Sequence, residues 1–138
     1  MDALARRYAR WAAARGLDSL ADERQRFEGR IVARDVVFRT GLGGSAPHPP
    51  DIVVLVELAI GQPVLLTRHE NKPTTEIAKL LREVLGASEQ IRNVGLTPSL
   101  VRITFEPGAE DDVFDAALEA LEERLRLLTT GGQLPYRG

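Results

Sequence analysis

Two histidines, His48 and His69, limit the acid–base and metal chemistry that this 138-residue sequence can support. Ser45, His48 and Asp51 fall within seven residues and supply the nucleophile, base and carboxylate of a hydrolytic triad. A triad requires a scaffold that fixes these groups in space, whereas they stand in or beside the Gly- and Pro-rich stretch 41–50. We therefore interpret the stretch as a solvated loop and predict no catalytic residue.

No metal or cofactor site is expected either. His69, Glu70 and Asn71 offer adjacent ligand atoms, but no second histidine lies four residues away and no Asp-rich loop follows. The glycines at 41, 43 and 44 follow a predicted strand, as in a phosphate-binding loop, yet prolines and another strand come next instead of a helix. The absence of cysteine excludes disulfides, thiolate ligands and a thiol nucleophile.

Glu57 is the remaining carboxylate of interest, because it interrupts the apolar run 52–60. In a cleft it would be a candidate acid–base group. We favour a position on a solvent-facing strand surface, with Glu57 opposite Arg34, Arg39 or Arg68 in a cross-strand ion pair.

Length and composition are typical of one globular domain, with 43% hydrophobic and 28% charged residues. We expect residues 1–138 to form a single domain, with an ordered core over about 2–128 and a tail over 129–138. The N-terminal MDALARRYARW is charged and amphipathic, unlike a signal peptide, and the longest apolar run, 52–56, is too short to cross a bilayer. A cytoplasmic protein that does not bind membranes is the expectation.

The charges are distributed unevenly along the chain. Residues 1–40 carry nine arginines against six acids, a balance of +3, whereas residues 106–128 carry eight acids against two arginines, a balance of −6. We interpret these segments as two solvated faces, the alternative being a docking surface for a partner of opposite sign. The sequence pI of 5.7 argues against a dedicated nucleic-acid-binding domain.

The periodicity of apolar residues predicts an α+β fold. The predicted helices are 2–15, 75–85 and 112–128, and the predicted strands are 27–40, 52–60, 64–68, 91–96 and 100–105. Segment 17–26 is either a second short helix or a connector. The order α-β-β-β-α-β-β-α predicts an antiparallel sheet covered by helices mainly on one face. Within it, we interpret 51–68 as a β-hairpin that turns at Gly61-Gln62, with a central first strand.

Several side chains are candidates for contact with a partner protein. Leu4, Tyr8 and Trp11 form an apolar, aromatic stripe on the first predicted helix, which would pack either on the chain's own sheet or on another protein. Val36 and Phe38 share one strand face with Val32 and would belong to an exposed apolar face if the sheet were half covered. The candidate partner-binding residues are Leu4, Tyr8, Trp11, Val36, Phe38 and Glu57.

The element order in a small, acidic, cysteine-free chain resembles the class I type III secretion chaperones and the related sensory-regulator-like proteins. The resemblance spans about residues 2–128 and includes no sequence motif, so no functional residue follows from it. The insertion 41–50 departs from the pattern of these chaperones. The resemblance implies a non-enzymatic protein, often a homodimer, that holds a partner polypeptide against its sheet and first helix.

Three hypotheses of function remain open from the sequence. The first is a non-enzymatic, chaperone- or adaptor-like module that binds another protein and forms a homodimer. The second is a small-ligand-binding or hydrolytic domain with a site between loop 41–50 and residues 68–71. The third is a structural component of an assembly.

Overall fold

The computed structural model describes residues 3–20, 23–42, 48–69 and 75–136. Within these ranges the fold is α+β with three helices and an antiparallel sheet, as predicted, but the sheet has seven strands instead of the five expected. The elements are α1 Ala3–Ala14, β1 Asp18–Leu20, β2 Glu23–Ile31, β3 Arg34–Arg39, β4 Asp51–Leu55, β5 Val64–Leu66, α2 Glu76–Arg82 with a 3₁₀ extension Glu83–Ala87, β6 Ile91–Thr97, β7 Leu100–Phe105 and α3 Asp111–Tyr136.

The beginning of α2 follows directly from its sequence. Thr75 occupies the N-cap position in extended conformation, and its hydroxyl accepts a hydrogen bond from the Ala78 N–H at 3.1 Å. A helix leaves its first N–H groups without intrahelical partners, and a threonine at this position supplies a hydrogen-bond acceptor for one of them. The predicted helix at 75–85 is confirmed, with its last turn tightened into the 3₁₀ segment.

The predicted single strand 27–40 is wrong, because β2 and β3 form a hairpin within it. The turn between them is made by Val32 and Ala33, whose φ angles are +50° and +65°. Such angles suit the tight turns that join antiparallel strands, but they are normally adopted by Gly or Asn, since a Cβ is crowded there. Segment 17–26 is likewise neither helix nor connector, because it contains β1 and the start of β2.

The predicted hairpin over 51–68 is also wrong, although its first strand is central in the sheet as expected. The strand order is β1-β2-β3-β4-β7-β6-β5, so the β6–β7 hairpin lies between β4 and β5. The connecting segment 56–63 crosses the turn of that hairpin. There the Val56 N–H donates to the Ser99 carbonyl at 3.1 Å, and the Leu58 N–H donates to the Pro98 carbonyl at 2.9 Å.

The core lies between one face of the sheet and the helices. Phe38 on β3 is at its centre, with ring centroids 5.1 Å from Trp11 and 5.6 Å from Tyr8 on α1, and 5.2 Å from Phe114 on α3. Phe105 of β7 meets Phe114 edge-on at 4.8 Å. Tilted and edge-to-face contacts of this kind are favoured by the charge distribution of aromatic rings. They fix α1 and α3 on the same face, as predicted.

The Val32–Ala33 turn generates a prediction about stability. Replacing both residues (Val32→Asn with Ala33→Gly) should raise the free energy of unfolding by about 1 kcal/mol, because both new residues adopt positive φ at low cost. Urea denaturation followed by circular dichroism measures the change. As a control of opposite sign, Gly108→Ala should destabilise the fold by about 1 kcal/mol, since φ is +82° there and no neighbouring atom lies within 4 Å of the added Cβ. Equal stability of all three proteins would contradict the assignment of backbone strain to this turn.

Candidate functional site

Four of the six candidate partner-binding residues lie in the protein's own core. Tyr8, Trp11, Val36 and Phe38 are each 0–2% exposed. Leu4 is half-buried and packs against the same core, and Glu57 is exposed in the crossing segment 56–63. In the folded chain the four core residues are therefore occupied by intramolecular contacts. Whether a partner contacts Leu4 or Glu57 stays a prediction.

Polar contacts reinforce the attachment of α1 to the rest of the fold. The Trp11 indole N–H donates to Asp115 Oδ1 at 3.0 Å, and Arg15 Nε donates to the same oxygen at 2.8 Å. Nearer the N-terminus, the Tyr8 hydroxyl accepts from the Gly108 N–H at 3.2 Å. Helix α1 is thus held by polar contacts as well as by packing, and its aromatic stripe is a packing face.

The arginines proposed as partners of Glu57 have other partners. Arg39 forms a two-point ion pair with Asp51, with distances of 2.8 and 2.6 Å, and Arg34 Nε lies 2.6 Å from Glu122 Oε1. Arg68 donates to the carbonyl of Ile91 at 2.8 Å. The predicted cross-strand pair of Glu57 is therefore wrong, because β4 ends at Leu55.

The loop proposed for the small-ligand site borders a cavity of about 300 Å³, which we call the loop cavity. His48 lies in its wall, whereas His69 does not. Asp51 is engaged by Arg39, and Ser45, Glu70 and Asn71 lie outside the described residues. The lining residues are Leu4, Tyr8, Thr40, Leu42, His48, Pro49, Pro50, Arg92, Pro107 and Gly108. Within the described ranges, neither the triad nor a cluster of three potential metal ligands is assembled.

A second concave region, of about 340 Å³, lies between the β2–β3 turn and α3. Its floor is apolar and includes Val36, Val54 and Leu121. Two ion pairs line it, Arg15 with Asp115 and Arg34 with Glu122. Within each pair the two charges neutralise each other. The pairs hold α3 to the end of α1 and to β3.

The sheet face opposite the helices divides into two halves with different chemistry. On β1–β3 and the adjoining end of β4, outward-facing acids and arginines alternate, and three ion pairs join them. The pairs are Arg26 with Glu28 at 2.8 Å, Arg30 with Asp35 at 3.7 Å, and Arg39 with Asp51 at 2.6 Å. This half is well suited to contact with water.

The other half of that face, on β4, β7, β6 and β5, contains two rows of mainly apolar side chains, which we call the open patch, bordered by a polar row of Asp51, Thr104 and Asn93. Leu55 and Leu65 are 47% and 63% exposed, and they are two of the four large hydrophobic side chains exposed in the described part of the chain. The strand register places Val53, Arg102, Gly95 and Leu65 in one row across the sheet, and Leu55, Leu100 and Thr97 in the next row. Val53 is buried yet lies outside the core cluster beneath the helices.

The open patch does not follow from the sequence, because the predicted hairpin over 51–68 gives β5 the wrong neighbours. With β4 and β5 treated as a hairpin, Leu65 had no defined relation to Leu100 or Arg102. The period-two alternation of strand 100–105 places Arg102 on the face opposite Val101, Ile103 and Phe105, and that signal would have identified it. The insertion of the β6–β7 hairpin is what brings these side chains together.

Comparison with known proteins shows the fold and no family. No family model matches the sequence, and no curated protein matches it. The solved structure of the mycobacterial trehalose monomycolate transport factor A, TtfA, is similar, with a TM-score of 0.58 and 12% sequence identity. The match covers 93% of this chain and 96% of that chain. The resemblance to secretion chaperones is not confirmed by these comparisons. No helix in the described ranges has the length and apolar character needed to cross a membrane.

Burial of Tyr8 generates a prediction about alkaline stability. Burial raises the pKa of the Tyr8 phenol above its usual value of 10.0 by disfavouring the phenolate, and the hydrogen bond from Gly108 opposes the shift only in part. The neutral phenol's stabilising contribution is therefore complete below pH 10.0 and is lost as the pH rises further.

We expect the free energy of unfolding to fall more steeply in the natural protein than in Tyr8→Phe between about pH 8 and about pH 11. Urea titrations of both proteins at each pH measure the difference. Phenylalanine removes the ionisable group and the acceptor for Gly108 while keeping the ring in the aromatic cluster. Parallel losses in the two proteins would contradict the assignment.

Proposed function

We propose that this chain is a non-enzymatic protein-binding module, chaperone- or adaptor-like, that holds a partner polypeptide on the open patch. The observation that supports this proposal is the exposure of Leu55 and Leu65 on the sheet face that none of the described helices covers. Contiguous exposed apolar surface on a small protein is typical of a binding surface. The charged half of the same face would form a polar border along one side of the patch.

The energetics favour a contact centred on the two leucines. Full burial of a leucine side chain contributes about 1.5–3 kcal/mol, and neither leucine attains this in the isolated chain. A partner that covered both would gain affinity from pre-existing, rigid strand positions without having to order them first. Binding energy would then be concentrated in a few central side chains, as in other interfaces.

The alternative of a small-ligand or hydrolytic site has one observation in its favour, which is that His48 lines the loop cavity. The second histidine does not line this cavity, and Asp51 is paired with Arg39. A binding role without catalysis therefore has better support. The description of the structural neighbour as a transport factor is in keeping with a binding role, although at 12% identity the likeness concerns the fold alone.

A cytoplasmic location and a homodimeric state, both expected from the sequence, belong to the same proposal. The third hypothesis, a component of a larger assembly, differs in the particle size that it implies. Sedimentation velocity over a range of concentrations distinguishes a monomer, a dimer and a larger particle.

The proposal predicts that charge placed on the open patch abolishes partner binding. A polypeptide that co-purifies with the tagged chain from its own cells is first identified by mass spectrometry, and its affinity is then measured by calorimetry. We expect Leu55→Asp and Leu65→Asp each to weaken binding by about tenfold or more, since about 1.4 kcal/mol corresponds to tenfold.

The matched control is Leu127→Asp. Leu127 is 55% exposed on α3, so it has comparable exposure on a different surface, and its replacement should leave the affinity unchanged. Circular dichroism verifies that all variants are folded. A chain that stays monomeric at every concentration and co-purifies with no polypeptide would contradict the proposal, as would equal affinities of all three variants.

A further inference from the structure

The open patch contains one charged side chain, Arg102, near its centre. Arg102 is exposed, and it forms no ion pair with an acidic side chain in the described ranges. Arg26, Arg30 and Arg39 of the charged half, by contrast, are paired with acids. Its register neighbours are Val53 on β4 and Gly95 on β6, neither of which has a polar side chain.

A partner that covers the patch must accommodate this cation. Removing water from an unpaired guanidinium is costly unless an anion replaces the water. A carboxylate is the protein group whose two oxygens match the parallel N–H donors of arginine. Charge complementarity therefore requires an acidic residue on the partner, with apolar residues on both sides to cover Leu55 and Leu65.

The backbone of the partner segment is constrained as well. The patch is a sheet face, so the sheet's own N–H and C=O groups are already used in the ladders between strands. An extended segment lying on this face would leave its own backbone groups without partners, whereas a helix satisfies them internally. The row from Val53 to Leu65 crosses four strands, a width of about 14 Å, which suits one helix with side chains about two and a half turns apart.

Gly95 adds a steric feature beside Arg102. A Cβ built at Gly95 would have the Leu65 side chain at 3.9 Å and the Arg102 carbonyl at 4.0 Å as its nearest neighbours. The glycine thus leaves a shallow depression between a leucine and an arginine. Glycine within a strand often marks a place where another molecule approaches closely.

We propose that the occupant of the open patch is an amphipathic helix of a different protein, with an acidic residue between two apolar residues, whose carboxylate pairs with Arg102. This proposal rests on the proposed function, since it specifies the partner of the same surface. A second copy of this chain packed face to face on the patch about a twofold axis would bring two Arg102 side chains towards each other, which like-charge repulsion disfavours.

The test uses a charge swap. Hydrogen–deuterium exchange identifies the protected segment of the co-purifying protein, and a synthetic peptide of that segment is titrated into the full chain. We expect Arg102→Glu to weaken binding by about tenfold or more, and a peptide whose acidic residue is replaced by arginine to restore much of the affinity for Arg102→Glu only.

Arg126→Glu is the matched control, because Arg126 is an exposed arginine on α3 and its reversal alters the net charge equally. Its affinity for the peptide should equal that of the natural chain. If the Leu55 and Leu65 variants weaken binding while Arg102→Glu does not, the helix proposal is overturned and the binding function stands. If none of the three variants weakens binding, both fail. A protected segment that belongs to a second copy of this chain, or that is not helical when bound, also overturns the proposal.

The variant Gly95→Ala distinguishes a role of the depression in binding from a role of Gly95 in folding. Alanine fits the strand conformation and meets no atom closer than 3.9 Å, so the variant should have a midpoint of thermal unfolding equal to or above that of the natural chain. Its added methyl group fills the depression, and we expect the peptide to bind several-fold more weakly.

Gly86→Ala is the control, since Gly86 lies in the 3₁₀ segment with no atom within 4 Å of the added Cβ. It should share the gain in thermal stability without a loss of affinity. Unchanged affinity of Gly95→Ala would show that the helix does not enter the depression and would overturn that part of the proposal.

Discussion

The packing of aromatic rings around Phe38 is the interaction on which the rest of the structure depends. All four phenylalanines, the single tryptophan and Tyr8 belong to one connected set of ring contacts. This set joins β2, β3 and β7 to both terminal helices, so it determines which sheet face is covered. It also leaves the opposite face without aromatic rings among its described side chains, which is why leucines and not aromatic residues project from the open patch.

The division of the uncovered face into two halves has a separate electrostatic cause. The outer strands β1–β3 interleave arginines with acids, which keeps an edge of the sheet hydrated and unsuited to pairing with other strands. On the inner strands β4, β7, β6 and β5, the described outward side chains of the open patch are mostly aliphatic or small, with Arg102 as the one charged group. One sheet therefore presents a charged surface and a more apolar one side by side, and their border runs along β4.

The parts of the fold that local chemistry dictates were predictable from the sequence. The Thr75 cap, the apolar stripes of the helices and the central position of β4 follow from spacing and residue type. The β2–β3 turn was not predictable in this way, because Val32 and Ala33 lack the glycine or asparagine that normally marks such a turn. Tertiary context imposes their conformation.

The open patch depended on a longer-range feature. Gly61 and Pro63 have the composition of a hairpin turn, and nothing local reveals that β6 and β7 will insert between β4 and β5. Whether Leu65 and Arg102 become neighbours is decided by that insertion alone. The candidate surface therefore could not be predicted from local sequence patterns. The face on which each strand's side chains lie could be predicted from their alternation.

The crossing segment 56–63 has a consequence for the order in which the chain becomes structured during synthesis. Strand β5 pairs only with β6, and β4 pairs with β3 on one edge and with β7 on the other. Strand β5 and the second edge of β4 therefore have no pairing strand until residues 91–105 have left the ribosome. At a typical rate of about 5–20 residues per second, the nascent chain spends a few seconds with an unfinished sheet. During that interval the N-terminal four-stranded unit exposes the edge of β4, and an early contact there would protect the chain from association with its neighbours.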